Sequence, residues 1–83
     1  MAIEFDPAKD VANMAKHGLS LARGQEMAIE VVVEDDRFDE LRYRAYGTID
    51  GRTHCLAFVV RNGRARAISL RRAHLKEHRR HVR

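Results

Sequence analysis

The sequence predicts an α+β fold, with two N-terminal helices packed on one face of a twisted antiparallel sheet of about four strands and a basic C-terminal helix. Helical spacing of apolar residues dominates the N-terminal part, whereas a period of two begins at Leu41. Asp50-Gly51 and Asn62-Gly63 divide the second half into strand-length segments. At 83 residues, the chain is expected to be a single domain spanning residues 1–83.

The N-terminal segment contains a candidate edge strand followed by the signals of a first helix. Ala2 to Phe5 is a short apolar stretch typical of an edge strand. Asp6 can accept hydrogen bonds from the free amides of a helix start, and Pro7 lacks only an amide that would have no partner there. Val11 and Met14 follow at helical spacing. We therefore expect a helix that begins at Pro7.

A second helix is predicted after Gly18, which can end the first helix by adopting a positive φ. Ser20 is the candidate N-cap of this second helix. Gly24 interrupts it at a cost of about 1 kcal/mol relative to alanine. Val31 to Val33 are β-branched and favour a strand. The boundary between the second helix and the sheet therefore stays open.

The Asp-Gly and Asn-Gly pairs predict a three-stranded antiparallel meander. Both central residues of a type I′ hairpin turn need a positive φ, which these dipeptides tolerate. Two-residue loops fix the pairing by counting, so that Tyr43 faces Phe58 and Val59 faces Arg66. One face of the sheet then forms a core surface made of Leu41, Tyr43, Ala45, Leu56, Phe58, Val60, Ala65 and Ala67.

The opposite face of the sheet is predicted to be strongly basic and to lack matching acids. Its cationic side chains are Arg42, Arg44, Arg61, Arg64 and Arg66, with Tyr46 between them. Guanidinium groups bind phosphate oxygens bidentately, which favours a phosphate-binding surface. The competing interpretation is that the arginines extend into water and keep an exposed sheet soluble.

The placement of the arginines gives a spatial prediction. Arg42, Arg61 and Arg66 should lie together on one exposed face. Ser69 and Arg71 should lie on the opposite pleat unless a bulge near Ile68 changes the alternation. The position of this strand end therefore depends on whether the pairing is regular.

Positive charge is concentrated at the C-terminal end of the chain. Residues 61–83 contain eight arginines, one lysine and one acid, a net charge of +8, whereas residues 1–60 carry a net charge of −4. Such segregation points to a polyanionic partner more strongly than the total of +4 does.

Other features argue against several classes of protein. Cys55 is the single cysteine, so neither an internal disulfide nor a multi-cysteine zinc site can form, and we expect no metal and no cofactor. Acids and a proline occupy the place of a signal peptide's apolar core. No apolar run approaches the ~20 residues of a membrane span. A cytoplasmic protein without membrane attachment is expected.

The motif residues spread along the chain are Asp6-Pro7 with Lys9, Asn13, Lys16-His17-Gly18, Ser20, Arg42-Tyr43, Gly47, Arg61, Arg66-x-Ile68-Ser69-x-Arg71 and Glu77. Together they resemble the BrnT toxin family of type II toxin–antitoxin systems. The combination of Lys-His-Gly with Arg-x-Ile-Ser-x-Arg is fairly specific. The resemblance runs from Glu4 to the C-terminal helix and implies a RelE/ParE-like fold.

The resemblance also implies a function. Members of the family are ribonucleases that block translation, and each is neutralised by an antitoxin, here BrnA-like, with a ribbon-helix-helix DNA-binding region. RNA and the antitoxin are thus the implied partners, with DNA bound only through the antitoxin. By position, the residues implied in cleavage are Arg61, Arg66, Ser69 and Arg71. Further candidate RNA-binding residues are Arg42, Arg44, Tyr46, Arg64, Lys16 and His17.

Cleavage of RNA without a metal requires three chemical roles. The 2′-hydroxyl must lose its proton, the charge on the phosphorane must be stabilised, and the leaving 5′-oxygen must be protonated. Arg61 and Arg66 suit charge stabilisation, and Ser69 is expected to orient the phosphate. Any of the five histidines can titrate near neutrality. His17 also fits a cation that caps a helix end. The sequence therefore leaves the general base and acid open.

Two other functions remain open from the sequence. One is a non-catalytic module that binds nucleic acid or antitoxin and acts in operon autoregulation. The other is a basic nucleic-acid binder without any toxin role. RNA cleavage in EDTA distinguishes the ribonuclease from both, and co-purification with the neighbouring gene product distinguishes the two binding functions.

Overall fold

The computed structural model describes residues 2–81, apart from the side chains of Leu75, His78 and His81. Along the chain lie β1 (Ile3–Glu4), α1 (Pro7–His17), a 3₁₀ helix (Leu21–Glu26), β2 (Ala28–Asp35), β3 (Arg42–Ile49), β4 (Arg52–Arg61), β5 (Arg64–Arg72) and α2 (Leu75–His81). The strands form one five-stranded sheet in the order β1-β5-β4-β3-β2. β1 runs parallel to β5, and the other neighbours are antiparallel.

The fold predicted from the sequence is wrong in its helices and in its sheet. The expected second helix is a six-residue 3₁₀ helix, and the residues from Ala28 onward form β2 instead. The β-branched run Val31 to Val33 suits the pleated surface of a strand. β2 is the fifth strand, and β1, at the position of the expected edge strand, runs parallel to β5, so the sheet is mixed rather than antiparallel. Two N-terminal helices with a C-terminal helix on an antiparallel sheet are therefore not the architecture of this chain.

The limits of α1 follow the sequence signals. Oδ1 of Asp6 accepts a hydrogen bond from the Ala8 amide at 2.8 Å, and Pro7 is the first helical residue. Gly18 has φ 71° and donates its amide to the Met14 carbonyl at 2.9 Å. The apolar stripe of α1 does not face the core, because Val11 and Met14 are 71% and 50% exposed.

A buried asparagine joins α1 to the open edge of β5. Asn13 is 4% exposed. Its Nδ2 donates to the carbonyls of Leu19 at 2.8 Å and Leu70 at 2.9 Å. Its Oδ1 accepts from the Leu70 amide at 3.0 Å. The side-chain amide thus continues the hydrogen-bonding pattern of a strand edge and sets the position of α1.

The three-stranded meander β3-β4-β5 is confirmed, including its turns. Asp50 and Asn62 have φ values of 52° and 53°, and the glycines that follow have 74° and 73°, as type I′ turns require. Tyr43 pairs with Phe58, and their rings stack at a centroid distance of 5.3 Å.

A bulge in β5 breaks the regular pairing at Ile68. Phe58 pairs with Ala67, whereas Ala57 pairs with Ser69, which leaves Ile68 as the extra residue. The bulge turns Leu70 toward the core, where it is fully buried.

The core occupies the face of the sheet that the 3₁₀ helix covers. Its buried members are Leu21, Met27, Ala45, Ile49, Leu56, Phe58, Ala67 and Leu70. The opposite face carries the arginines. Within residues 2–81, no helix is both long enough and apolar enough to cross a membrane.

Candidate nucleic-acid interface

The bulge at Ile68 brings both halves of the Arg-x-Ile-Ser-x-Arg motif onto one sheet face. The cross-strand pairs are Val59 with Arg66, Ala57 with Ser69 and Cys55 with Arg71. Residues directly opposite share a face, and the three β4 partners alternate along their strand. Ser69 and Arg71 therefore share the face of Arg66. The sequence analysis placed Ser69 and Arg71 on the opposite pleat unless a bulge occurred near Ile68, and that bulge is present.

Three adjoining depressions run along this face. The first is lined by Lys9, Arg42, Arg61 and Arg66, the second by Lys9, Lys16, His17, Ser69 and Arg71, and the third by Arg42, Arg44, Ser69 and Arg71. We call the nine residues named in these depressions the cationic groove. The prediction that Arg42, Arg61 and Arg66 lie together is confirmed.

Arginines of the groove pair with acids from other elements, so the prediction of a face without matching acids is wrong. Nε and Nη2 of Arg61 donate to the two carboxylate oxygens of Glu40 at 3.0 and 2.7 Å. Nη1 of Arg66 lies 3.8 Å from the carboxylate of Glu4 in β1. Glu40 lies 21 residues before Arg61, and Glu4 is even farther from Arg66 along the chain. The strand pairing used in the sequence analysis therefore could not predict either acid as a partner.

Arg71 forms the second bidentate pair, with Glu77 of α2. The nitrogen–oxygen distances are 3.1 and 2.6 Å. The hydrogen bonds from Arg71 are the main reason why the pKa of Glu77 falls to about 2. The same bonds raise the pKa of Arg71. Glu77 thus occupies, as a planar anion, the place where Arg71 would contact a phosphate.

Tyr46 supports α2 instead of offering a ring to a nucleic-acid base. Tyr46 is a candidate RNA-binding residue from the sequence, but its side chain is fully buried, so its ring is not exposed to a base in this structure. Its hydroxyl donates to Glu77 at 2.8 Å and accepts from Nη1 of Arg44 at 3.0 Å. Burial is the largest of the causes that raise the pKa of Tyr46.

The two arginines of β3, Arg42 and Arg44, both line the cationic groove. Nε of Arg44 lies 3.9 Å from the carboxylate of Asp35, and the side chain is 30% exposed. The Arg42 guanidinium lies 3.8 Å above the centroid of the Phe38 ring, a cation–π contact. Phe38 is 43% exposed and provides an aromatic surface that the sequence analysis missed.

Arg64, predicted to bind RNA, lies outside the cationic groove. Its side chain is 75% exposed and its Nη1 lies 3.8 Å from Glu4. It lines a separate, mainly apolar depression with Ile3, Phe58 and Val60. Lys9, by contrast, lies in the groove and was not predicted as a site residue. Its spacing of seven residues from Lys16, about two helical turns, was a signal that would have found it.

Of the histidines with described side chains, one lines the cationic groove and two lie outside it. His17 lines the groove, and its pKa is lowered by burial and by the charges of Lys16 and Arg71. His54 is 4% exposed, and its Nδ1 lies 2.7 Å from the Arg52 carbonyl. His74 lines a different depression beside α2.

The remaining reactive groups with described side chains are the possible metal ligands and the Cys55 thiol. Within the described part of the chain, no three His, Cys, Asp or Glu side chains are grouped so that they could hold a metal ion. Cys55 is buried, and its burial raises the pKa of the thiol.

Comparison with known protein families identifies the class of protein to which this chain belongs. A family model described as a ribonuclease toxin, BrnT, of type II toxin–antitoxin systems matches residues 5–77. The chain belongs to the BrnT family of ribonuclease toxins. Membership implies an RNA target and an antitoxin partner.

A solved structure supports the same family. The crystal structure of the Brucella abortus ribonuclease toxin, BrnT, is similar to this chain, with a TM-score of 0.69 and 26% sequence identity. The similarity covers 89% of this chain and 97% of the Brucella protein. No match was found among curated protein sequences.

Proposed function

We propose that this protein is a metal-independent endoribonuclease that inhibits translation by cleaving RNA held in the cationic groove. The observation that carries the proposal is the Ile68 bulge, which aligns Arg66, Ser69 and Arg71 on one face. Family membership supplies the reaction class. Cytoplasmic RNA is the substrate.

The groove residues divide into two roles. Arg66 and Arg71 stabilise the negative charge of the phosphorane, because a guanidinium fork matches two phosphate oxygens. Ser69 lies between them on the same face and donates its hydroxyl to a phosphate oxygen. Arg61 and Arg42 extend the groove toward Phe38, where a base can stack on the exposed ring. Lys16 adds positive charge at the end of α1.

RNA binding exchanges internal carboxylates for phosphates. The side chains of Arg61 and Glu40 are 53% and 45% exposed, so water screens their pair and the pair contributes little to stability. A chain of phosphates offers several contacts at once and releases counterions. The internal pairs therefore hold the arginines in place without blocking RNA.

The antitoxin partner is inferred to be a BrnA-like protein with a ribbon-helix-helix DNA-binding region. The cationic groove favours an acidic segment of the antitoxin as the neutralising element, since complementary charge speeds association and fixes orientation. DNA contact then occurs through the antitoxin in the repressing complex.

RNA cleavage in EDTA tests the proposal. We expect purified protein to cut single-stranded RNA, and the Arg66→Ala/Arg71→Ala double variant to lose at least about 100-fold in rate. The matched control is Arg52→Ala/Arg72→Ala, which removes equal charge outside the groove and should retain the rate. Unchanged cleavage by the Arg66→Ala/Arg71→Ala variant contradicts the site, and cleavage that requires added metal contradicts the mechanism.

A second candidate function follows from the internal ion pairs. If phosphate does not displace the carboxylates that pair bidentately with Arg61 and Arg71, the groove does not cleave RNA, and the protein is a non-catalytic module that binds nucleic acid or antitoxin in operon autoregulation. In that case the protein co-purifies with the neighbouring gene product and enhances its binding to operator DNA, yet leaves RNA intact in EDTA.

A further inference from the structure

We propose that His17 is the general base that removes the 2′-hydroxyl proton from RNA in the cationic groove. The inference rests on the proposed ribonuclease function and adds the proton acceptor that the arginines and Ser69 cannot supply.

The first argument is the position of His17. Asn13 fixes α1 against β5 through the backbone of Leu70, and His17 follows Asn13 by one helical turn on the same side of α1. Its imidazole lines a cleft of about 340 Å³ with Ser69 and Arg71. A phosphate bound to those two residues therefore lies beside the imidazole.

The second argument is that the two carboxylates paired bidentately with groove arginines are weak bases. Glu77 is held by Arg71 and has a pKa of about 2. The pKa of Glu40 is also lowered, mainly by hydrogen bonds from Arg61. Carboxylates with such low pKa values are weak bases and are poor acceptors for a hydroxyl proton near neutral pH.

The other histidines with described side chains lie elsewhere. His54 is buried, with Nδ1 at hydrogen-bond distance from the Arg52 carbonyl. His74 lies beside Arg44, Lys76 and Glu77 in a depression separate from Ser69. Among the histidine side chains that the structure describes, His17 is the one that faces Ser69 and Arg71.

The third argument is electrostatic. The charged groups that line the depression with His17 are Lys9 and Lys16 on α1 and Arg71 on β5, and Arg71 is paired with Glu77. Burial, Lys16 and Arg71 lower the pKa of His17 below its usual 6.5, so the free imidazole is neutral at pH 7. A bound phosphate offsets the cations, which strengthens the base when substrate is present.

The proposed step balances as an internal transesterification. His17 accepts the 2′-hydroxyl proton while the 2′-oxygen forms a bond to phosphorus. The bond from phosphorus to the 5′-oxygen breaks, and that oxygen takes a proton from water in the open cleft. The products are a 2′,3′-cyclic phosphate and a 5′-hydroxyl end, and the resulting hydroxide deprotonates the imidazolium.

The test compares His17→Gln with the matched control His74→Gln. We expect His17→Gln to lower kcat at least about 100-fold, with less than a threefold change in the Kd of 2′-O-methyl RNA. The wild-type profile of kcat/KM against pH should fall about tenfold per unit below an apparent pKa under 6.5, and this acid limb should be absent from His17→Gln. His74→Gln should retain both the rate and the limb. Imidazole should partly restore cleavage by His17→Gly.

Three outcomes overturn the proposal while the wild-type protein still cleaves RNA. They are a kcat for His17→Gln within threefold of wild type, an unchanged acid limb in that variant, and a loss of RNA affinity that accounts for the whole loss of rate. The last result would make His17 a binding residue. Wild-type protein that leaves RNA intact instead refutes the ribonuclease function, and the role of His17 falls with it.

Discussion

Replacing Asn13 by alanine should detach the end of α1 from the sheet and cost about 3 kcal/mol. The three hydrogen bonds of Asn13 lie at 2.8–3.0 Å, and a buried hydrogen bond contributes about 1 kcal/mol net. Alanine would leave the Leu70 amide and the carbonyls of Leu19 and Leu70 without this partner. A small domain has about 5–15 kcal/mol of stability in total, so the loss is a large share.

Urea unfolding followed by circular dichroism measures this cost. With a slope of about 1.5 kcal/mol per molar urea, the midpoint should fall by about 2 M. Asn13→Asp should be at least as destabilising, because a carboxylate oxygen would then face two carbonyls. Met14→Ala is the matched control, since Met14 is half exposed on the same helix and should change stability by less than about 0.5 kcal/mol.

The result also bears on the groove. A loss below about 1 kcal/mol for Asn13→Ala would show that packing, rather than this amide, positions α1. In that event the placement of Lys16 and His17 beside Ser69 would need another explanation.

Three further predictions concern ion pairs and backbone geometry. Glu40→Gln should free Arg61 and tighten RNA binding about two- to fivefold, and the slope of log K against log salt concentration should be steeper by about 0.7. Anisotropy titrations at several salt concentrations that superimpose on wild type would refute the exchange of carboxylate for phosphate. The folded pKa of Glu77 is about 2, below its usual 4.5, so its stabilisation of α2 should be present above pH 4.5 and lost as the pH falls toward 2. Tyrosine fluorescence should detect exposure of Tyr46 in that window, and detachment of α2 near pH 6 would contradict the prediction. Gly47→Ala should destabilise the protein by more than about 2 kcal/mol because a Cβ would collide with the Ala28 carbonyl; thermal unfolding unchanged from wild type would contradict the close approach of β2.

Local chemistry made the meander predictable. The Asp50-Gly51 and Asn62-Gly63 turns require φ values that few residues adopt, and a two-residue turn fixes the register of its strands by itself. The N-cap of α1 at Asp6 and its end at Gly18 are equally local. The BrnT motif then pointed to the family, because its residues recur at fixed distances along the whole chain.

Interactions between distant elements were beyond the reach of sequence patterns. The bulge at Ile68 reflects where Leu70 must enter the core, which no local propensity specifies. The acids that neutralise Arg61, Arg66 and Arg71 come from a loop, β1 and α2. The prediction of a second helix was wrong for a related reason. Gly24 packs against Leu56 and Ile3, so close packing against the sheet, rather than helix propensity, determines the conformation of that segment.

The bond between Asn13 and Leu70 has a consequence for the newly made protein. Its two residues are separated by 57 positions, so α1 is synthesised well before its partner strand. Long-range pairings of this kind form late, after local hairpins. The depression shared by His17 and Arg71 can therefore form only after β5 has been synthesised. The order of synthesis thus delays the assembly of the groove, although α1 is among the first segments to be made.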